Sequence, residues 1–154
     1  MKIINDIEEW RLIRQQLPSQ ASLGFVPTMG NLHAGHISLC STAQKENDFT
    51  AVSIFVNPTQ FNHRGDFLHY PQTLNRDIAL LRENKVDFCL IPDEQSIYPH
   101  GHLFHIQESD ISTKLEGLHR PGHFAGVLTV VMKWLNIVKP HCAYFGEKDY
   151  QQYR

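Results

Sequence analysis

The sequence predicts an α/β fold: a mostly parallel β-sheet with helices packed on its faces. Three observations carry that prediction. Short runs rich in β-branched and aromatic residues alternate with segments of helical periodicity. The strand-like runs close on turn signals at Pro27, Asn57-Pro58 and Pro92. Three polar motifs, at 27–36, 57–61 and 146–149, each follow such a run, and parallel sheets bind ligands beyond the C-terminal ends of their strands.

Taken in order, Ile7, Trp10, Ile13 or Arg14, and Leu17 recur at helical spacing, with Asn5 and Glu8 as a capping pair and Pro18 as the stop. Residues 23–27 read as a strand. Residues 36–47 read as a helix that exits at Asn47-Asp48. Residues 50–56 are a buried strand by composition. Leu74, Ile78 and Leu81 mark a helix between Pro71 and Asn84, and residues 86–91 form the next strand. Residues 93–123 are a long Pro/Gly/His-rich connection with one more strand expected at 103–107. Residues 125–138 are apolar enough for a core helix. A short strand at 143–145 then leads into Gly146-Glu147-Lys148-Asp149.

The chain has 154 residues, 42% of them hydrophobic and 19% charged, which suits one globular domain with a core. A net charge of −2 without any Lys/Arg block gives no footprint for nucleic acid. Cys40, Cys89 and Cys142 are widely spaced and form no CxxC pair, so a disulfide framework or zinc ribbon is not expected. Free thiols, the absence of an apolar leader after Met1 and apolar runs too short for a bilayer all point to the cytoplasm.

The chemistry concentrates at Pro27-Thr28-Met29-Gly30-Asn31-Leu32-His33-Ala34-Gly35-His36, on a strand-to-helix turn. His33 and His36 lie one helical turn apart and face the same way. Gly35 removes a side chain where a ligand could approach the backbone. The helix N-terminus adds N–H donors and partial positive charge, which favours phosphate.

This run resembles the HxGH signature of nucleotidyltransferases, shared with class I aminoacyl-tRNA synthetases, and implies a Rossmann-like sheet. Residues 52–61, ending Asn57-Pro58-Thr59-Gln60-Phe61, resemble the second motif of the pantoate–β-alanine ligase (pantothenate synthetase) family. So do Tyr70-Pro71 with Thr73 and Asp77 behind them, Leu115-Glu116-Gly117, Arg120-Pro121-Gly122-His123-Phe124, residues 126–131, and residues 146–152. The resemblance covers essentially the whole chain in the right order.

The resemblance implies ATP-dependent condensation of pantoate with β-alanine through a pantoyl adenylate, with Mg²⁺ accompanying ATP. It implies His36, His33 and Lys148 as the catalytic set. It places ATP on Met29, Gly30, Asn31, Leu32, His33, Ala34, Gly35, His36, Gly146, Glu147, Lys148 and Asp149. Gln60 and Gln152 are placed on pantoate, Gln60 also near β-alanine. Pro27, Met29 and Phe61 supply apolar walls, and Asn57 and Tyr70 complete the pocket. The family also implies a homodimer, with the contact on the N-terminal domain. The chemistry agrees with these residue types. A carboxylate is already ionised, so the first step needs positive charge at the phosphoryl oxygens rather than a base. A glutamine amide offers both donors and an acceptor to a hydroxy acid.

Two departures stand out. Family members continue into a second domain with a Ser-Ser-Arg-Asn type segment, absent here. Residues 1–154 are therefore expected to be the N-terminal nucleotide- and pantoate-binding domain, with weak binding and little turnover alone. His141-Cys142 follow Pro140 where the family has Asp, in a turn without catalytic consequence. Two other readings remain open: a nucleotidylyltransferase acting on a phosphate substrate, and an inactive nucleotide-binding or dimerisation fragment. His100, His102 and His105 read as a solvated loop rather than a metal site. Glu116 and Arg120 read as an ordinary surface ion pair.

Overall fold

A computed structural model describes all residues, 1–154. Five strands, β1 (Lys2–Ile4), β2 (Leu23–Thr28), β3 (Phe49–Ile54), β4 (Phe88–Leu90) and β5 (Cys142–Ala143), form one sheet in the order β1-β4-β3-β2-β5. Every pairing is parallel, with Leu23 opposite Phe49 and Gly24 opposite Cys142. From β2 the chain steps outward to β3 and β4, then returns to the other side of β2 as β5. β2 is thus the point where the winding reverses, the place where such sheets open a crevice.

Side chains alternate across the strands and create two cores. On one face Leu23, Phe25, Ala51 and Leu90 pack against α1 (Ile7–Gln16) and α7 (His123–Val138) through Trp10, Val130, Trp134 and Val138. Trp10 is fully buried, and its indole N–H donates to Ile137 O at 3.0 Å, tying α1 to the end of α7. On the other face Val26, Val52, Ile54 and Cys89 pack against α2 (Ala34–Glu46) and α4 (Leu74–Glu83) through Cys40, Ala43 and Leu81. Short helices complete the chain: α3 (Arg64–Leu68), α5 (Glu94–Ile97), α6 (Glu116–His119) and α8 (Tyr150–Tyr153), with 3-10 turns at Pro58–Gln60, Ile111–Thr113 and Glu147–Asp149.

The α/β class and the parallel sheet agree with the sequence expectation. Three details differ. The α1 cap is Asp6, whose carboxylate accepts from Glu8 N–H at 2.8 Å, rather than Asn5. The strand expected at 103–107 does not form. Leu103 and Phe104 stand in solvent, and β1 and β5 already occupy the sheet edges, so that run has no ladder to join. β1 was not anticipated, because three residues carry too little pattern and pairing with β4 alone defines it. His141 proves structural: its ring accepts Leu23 N–H at 2.8 Å and its own N–H donates to Leu23 O, stitching the turn before β5 to the start of β2.

Candidate active site

Topology brings the three motifs together. Residues 29–36 follow β2, 55–61 follow β3, and 144–149 follow β5, and these strands are immediate neighbours. Electrostatics agrees: His36 feels the charges of Lys148, Asp149 and Asp77, and His123 feels Asp149.

The turn after β2 is held from behind. Thr28 donates to Ser53 O at 2.6 Å and accepts from Gly30 N–H. Gly30 and Asn31 both have positive φ, +80° and +51°. A Cβ at Gly30 would also meet Asp77 Oδ2 at 3.1 Å, so glycine fits here on two counts. Asp77, 1% exposed on α4, accepts Asn31 N–H and Leu32 N–H at 2.9 Å each, one on each oxygen, and also the Thr73 hydroxyl. Leu32 is buried in the core below.

His33 is the N-cap of α2, and its Nδ1 accepts Gly35 N–H at 3.1 Å. His36 Nδ1 accepts His33 N–H at 3.4 Å. Each bond fixes a tautomer, since a ring nitrogen that accepts cannot carry the proton. Both imidazoles therefore hold their proton on Nε2, and the rings lie 4.1 Å apart between centroids. Burial, then His33 and Lys148, hold His36 below its ordinary 6.5, so it is a neutral N–H donor at pH 7. These internal bonds correct one expectation. The N–H groups of Gly30, Asn31, Leu32, His33 and Gly35 are spent inside the protein. Donors for an anion come instead from the ring Nε2 atoms and Ala34 N–H. Lys148 adds a mobile charge, with its side chain 85% exposed and 3.9 Å from Asp149.

Past β3, Gln60 is almost fully buried. Its Oε1 accepts from Asn57 Nδ2 at 3.1 Å, and its backbone carbonyl accepts from His123 Nδ1 at 2.8 Å. His123 is buried, and that burial is the main reason it lies below 6.5. Asn57, assigned to the pocket by the family pattern, is 1% exposed with every amide valence used internally. Its position is a support behind Gln60, because a saturated buried amide has nothing left for a ligand. Phe61 packs edge-on against Tyr70 and Phe67 at 5.7 and 5.6 Å. The Tyr70 phenol is pushed above 10 by burial and by the charge of Asp77, which sets this aromatic wall near the turn. Pro27 and Met29 are half-buried at the end of β2.

The last motif is less organised. Gly146, Glu147 and Asp149 are exposed. Gln152 is exposed on α8 and makes no hydrogen bond, whereas Gln151 ties Ile111 O, Lys114 O and Glu116 N–H together. Glu116 and Arg120 pair at 2.7 Å on the surface. Sequence reasoning gave no role to Asp77, His123 or Tyr98. A charged residue in the first turn of an amphipathic helix ordinarily faces water, so nothing local marked Asp77 as buried. A cavity of about 180 Å³ lies behind Gln60, between Tyr98, His102 and the start of α7. A larger hollow of about 300 Å³ sits at the opposite end of the sheet, lined only by polar residues and remote from all three motifs.

Fold and site together define an α/β protein that presents a helix N-terminus and two imidazoles at the reversal point of a parallel sheet. The chain belongs to the pantoate-beta-alanine ligase family, whose model matches residues 2–154. It is 55% identical over 152 residues to the pantothenate synthetase of Legionella pneumophila (strain Corby), covering 99% of this chain and 60% of that protein. The crystal structure of a Francisella tularensis pantoate-beta-alanine ligase, complexed with beta-gamma ATP and beta-alanine, superposes with a TM-score of 0.97 at 52% identity. That match covers 99% of this chain and 59% of the other. Pantothenate synthetase from Thermus thermophilus gives 0.91 at 46% identity, covering 99% and 54%. The chain thus spans between 54% and 60% of the length of these relatives.

Proposed function

We propose that this chain is the nucleotide- and pantoate-binding domain of an enzyme that makes pantothenate from pantoate, β-alanine and ATP. A pantoate carboxylate oxygen bonds to the α-phosphorus of ATP and pyrophosphate leaves. The ammonium group of β-alanine loses a proton to solvent, the free amine attacks the acyl carbon of the adenylate, AMP leaves, and the amide nitrogen releases a second proton to solvent.

The supporting observation is that the His33–His36 turn after β2 and the Lys148–Asp149 turn after β5 leave adjacent parallel strands at the same end of the sheet. In this reading the Nε2–H groups of His33 and His36 donate to phosphoryl oxygens as negative charge builds there. An arriving phosphate also draws the neutral His36 toward its charged form. Lys148 follows the departing pyrophosphate as a mobile cation. Met29, Gly30, Ala34, Gly35, Gly146, Glu147 and Asp149 border the nucleotide, while Asn31 and Leu32 act through their backbone shape. Gln60 Nε2 and Gln152 take pantoate oxygens, with Phe61, Tyr70, Pro27 and Met29 against its methyl groups. No group of three or more His, Cys, Asp or Glu side chains in this chain is arranged to hold a metal ion. We therefore read Mg²⁺ as entering on the ATP phosphates.

We further propose a homodimer acting in the cytoplasm on small molecules rather than on nucleic acid or membrane. No helix is long and apolar enough to cross a membrane. The test is isothermal titration of the chain with pantoate and then with ATP–Mg²⁺, with pyrophosphate release followed on the same sample. Pantoate binding that Gln60→Ala weakens more than ATP binding is expected. Absence of binding by both ligands refutes the reading for this chain.

A further inference from the structure

We infer that Asn57 locks the polarity of the Gln60 side chain, so that Gln60 shows only N–H donors to the pocket. The ligand consequence rests on the role given to Gln60 above; the lock itself does not.

The chain of reasoning starts at a group with no choice. Gly126 C=O can only accept, and Asn57 Nδ2 lies 3.2 Å from it. That atom of Asn57 must therefore be the nitrogen. Its oxygen then faces two hydroxyls, Tyr98 at 2.8 Å and Thr59 at 3.0 Å, both of which donate. The second Asn57 N–H points at Gln60 from 3.1 Å, so the Gln60 atom there must be oxygen. Gln60 Nε2 is left on the other side, without a protein partner and not sealed from solvent. Turning Gln60 over would set NH₂ against NH₂ in a buried place. Turning both amides over would set oxygen against the Gly126 carbonyl.

The frame around the lock is rigid. The Gln60 backbone is pinned by His123, and Gly126 lets α7 lie against Thr59 and Gln60, where a Cβ would fall 2.5 Å from Thr59 O. Tyr98 sits beneath the Lys133 ammonium, 4.9 Å from the ring centroid, and Lys133 also donates to Ile97 O. The consequence is selectivity. At Gln60 the pocket takes an acceptor oxygen of a hydroxy acid and turns away an ammonium group, which has only donors. Asn57 and Tyr98 are positioning residues behind it.

The experiment is proton exchange of the side-chain amides in the ¹⁵N-labelled chain, followed by NMR. Asn57 Nδ2 protons, both bonded and buried, are expected to exchange about tenfold or more slowly than Gln60 Nε2 protons. Equal, fast exchange at both sites overturns the lock without any variant. Asn57→Asp supplies the second arm. An aspartate has at most one proton there, and Gly126 C=O claims it, so Gln60 turns its NH₂ inward and its protons become protected. Unchanged Gln60 exchange in a folded Asn57→Asp chain overturns the lock. Pantoate is expected to shift the Gln60 Nε2 resonance in the native chain. If pantoate leaves it unmoved while the exchange contrast persists, the substrate reading fails and the lock stands.

Discussion

Asp77→Asn tests whether the nucleotide turn is held from α4. The two side chains have the same shape, so the change removes charge and one acceptor without opening a cavity. Asp77 offers one oxygen to Asn31 N–H and the other to Leu32 N–H, both at 2.9 Å, in a place that is 1% exposed. Asparagine keeps one oxygen, so one backbone N–H must face an NH₂ group. A hydrogen bond to a buried charged group contributes about 1.5–3 kcal/mol, and the surviving bond weakens when its acceptor becomes neutral. Relief from burying a charge offsets part of this, leaving about 2–3 kcal/mol. For a domain of this size that lowers Tm by about 5–10 °C. Asn31, at φ +51°, is the residue whose conformation relaxes first once its N–H is released. Movement there carries His33 with it, so ATP affinity falls alongside stability. Differential scanning calorimetry at pH 7 and ATP titration measure both. A Tm within about 2 °C of the native chain, with unchanged ATP affinity, refutes the reasoning.

Other outcomes follow from the same geometry. If His36 Nε2–H donates to phosphate as proposed, His36→Ala should lower ATP–Mg²⁺ affinity about tenfold or more by titration; an unchanged affinity removes His36 from the phosphate site. Gly126→Ala drives a methyl group toward Thr59 O and Gln60 N, at 2.5 and 2.8 Å, and overpacking of this kind costs about 1–3 kcal/mol. The urea midpoint should drop, and pantoate affinity should suffer more than ATP affinity, because it is Gln60 that α7 displaces. Stability should also depend on pH through His36 and His123, both held below 6.5, chiefly by burial. The unfolded chain binds more protons than the folded one between those depressed values and 6.5, so stability is full above 6.5 and is lost as pH falls through that window. Urea midpoints at several pH values check this, and a midpoint that rises on acidification contradicts it. His123→Gln should flatten the curve.

Much of the candidate site was legible because its residues are close in sequence. His33, Gly35 and His36 are close in sequence, and their spacing alone puts the two rings on one side of a helix start. The strands at 23–27 and 50–56 were legible from composition, since both are buried on two faces and need no alternating pattern. The supporting groups were not. Asp77 lies 46 residues from Asn31, and Tyr98 lies 41 from Asn57. A residue that acts by filling the valences of a distant amide leaves no periodicity and no motif.

The sequence by itself determined the class of fold, the order of its long elements and the three motifs that carry chemistry, because hydrophobic periodicity and turn residues act over a few positions. Only the tertiary structure decided that the strands carrying those motifs are neighbours, that the Asn57 amide is saturated by protein partners, and that most N–H groups of the first turn are already spent. Those outcomes depend on which groups compete for each hydrogen bond once the chain is packed, and that competition has no address along the sequence.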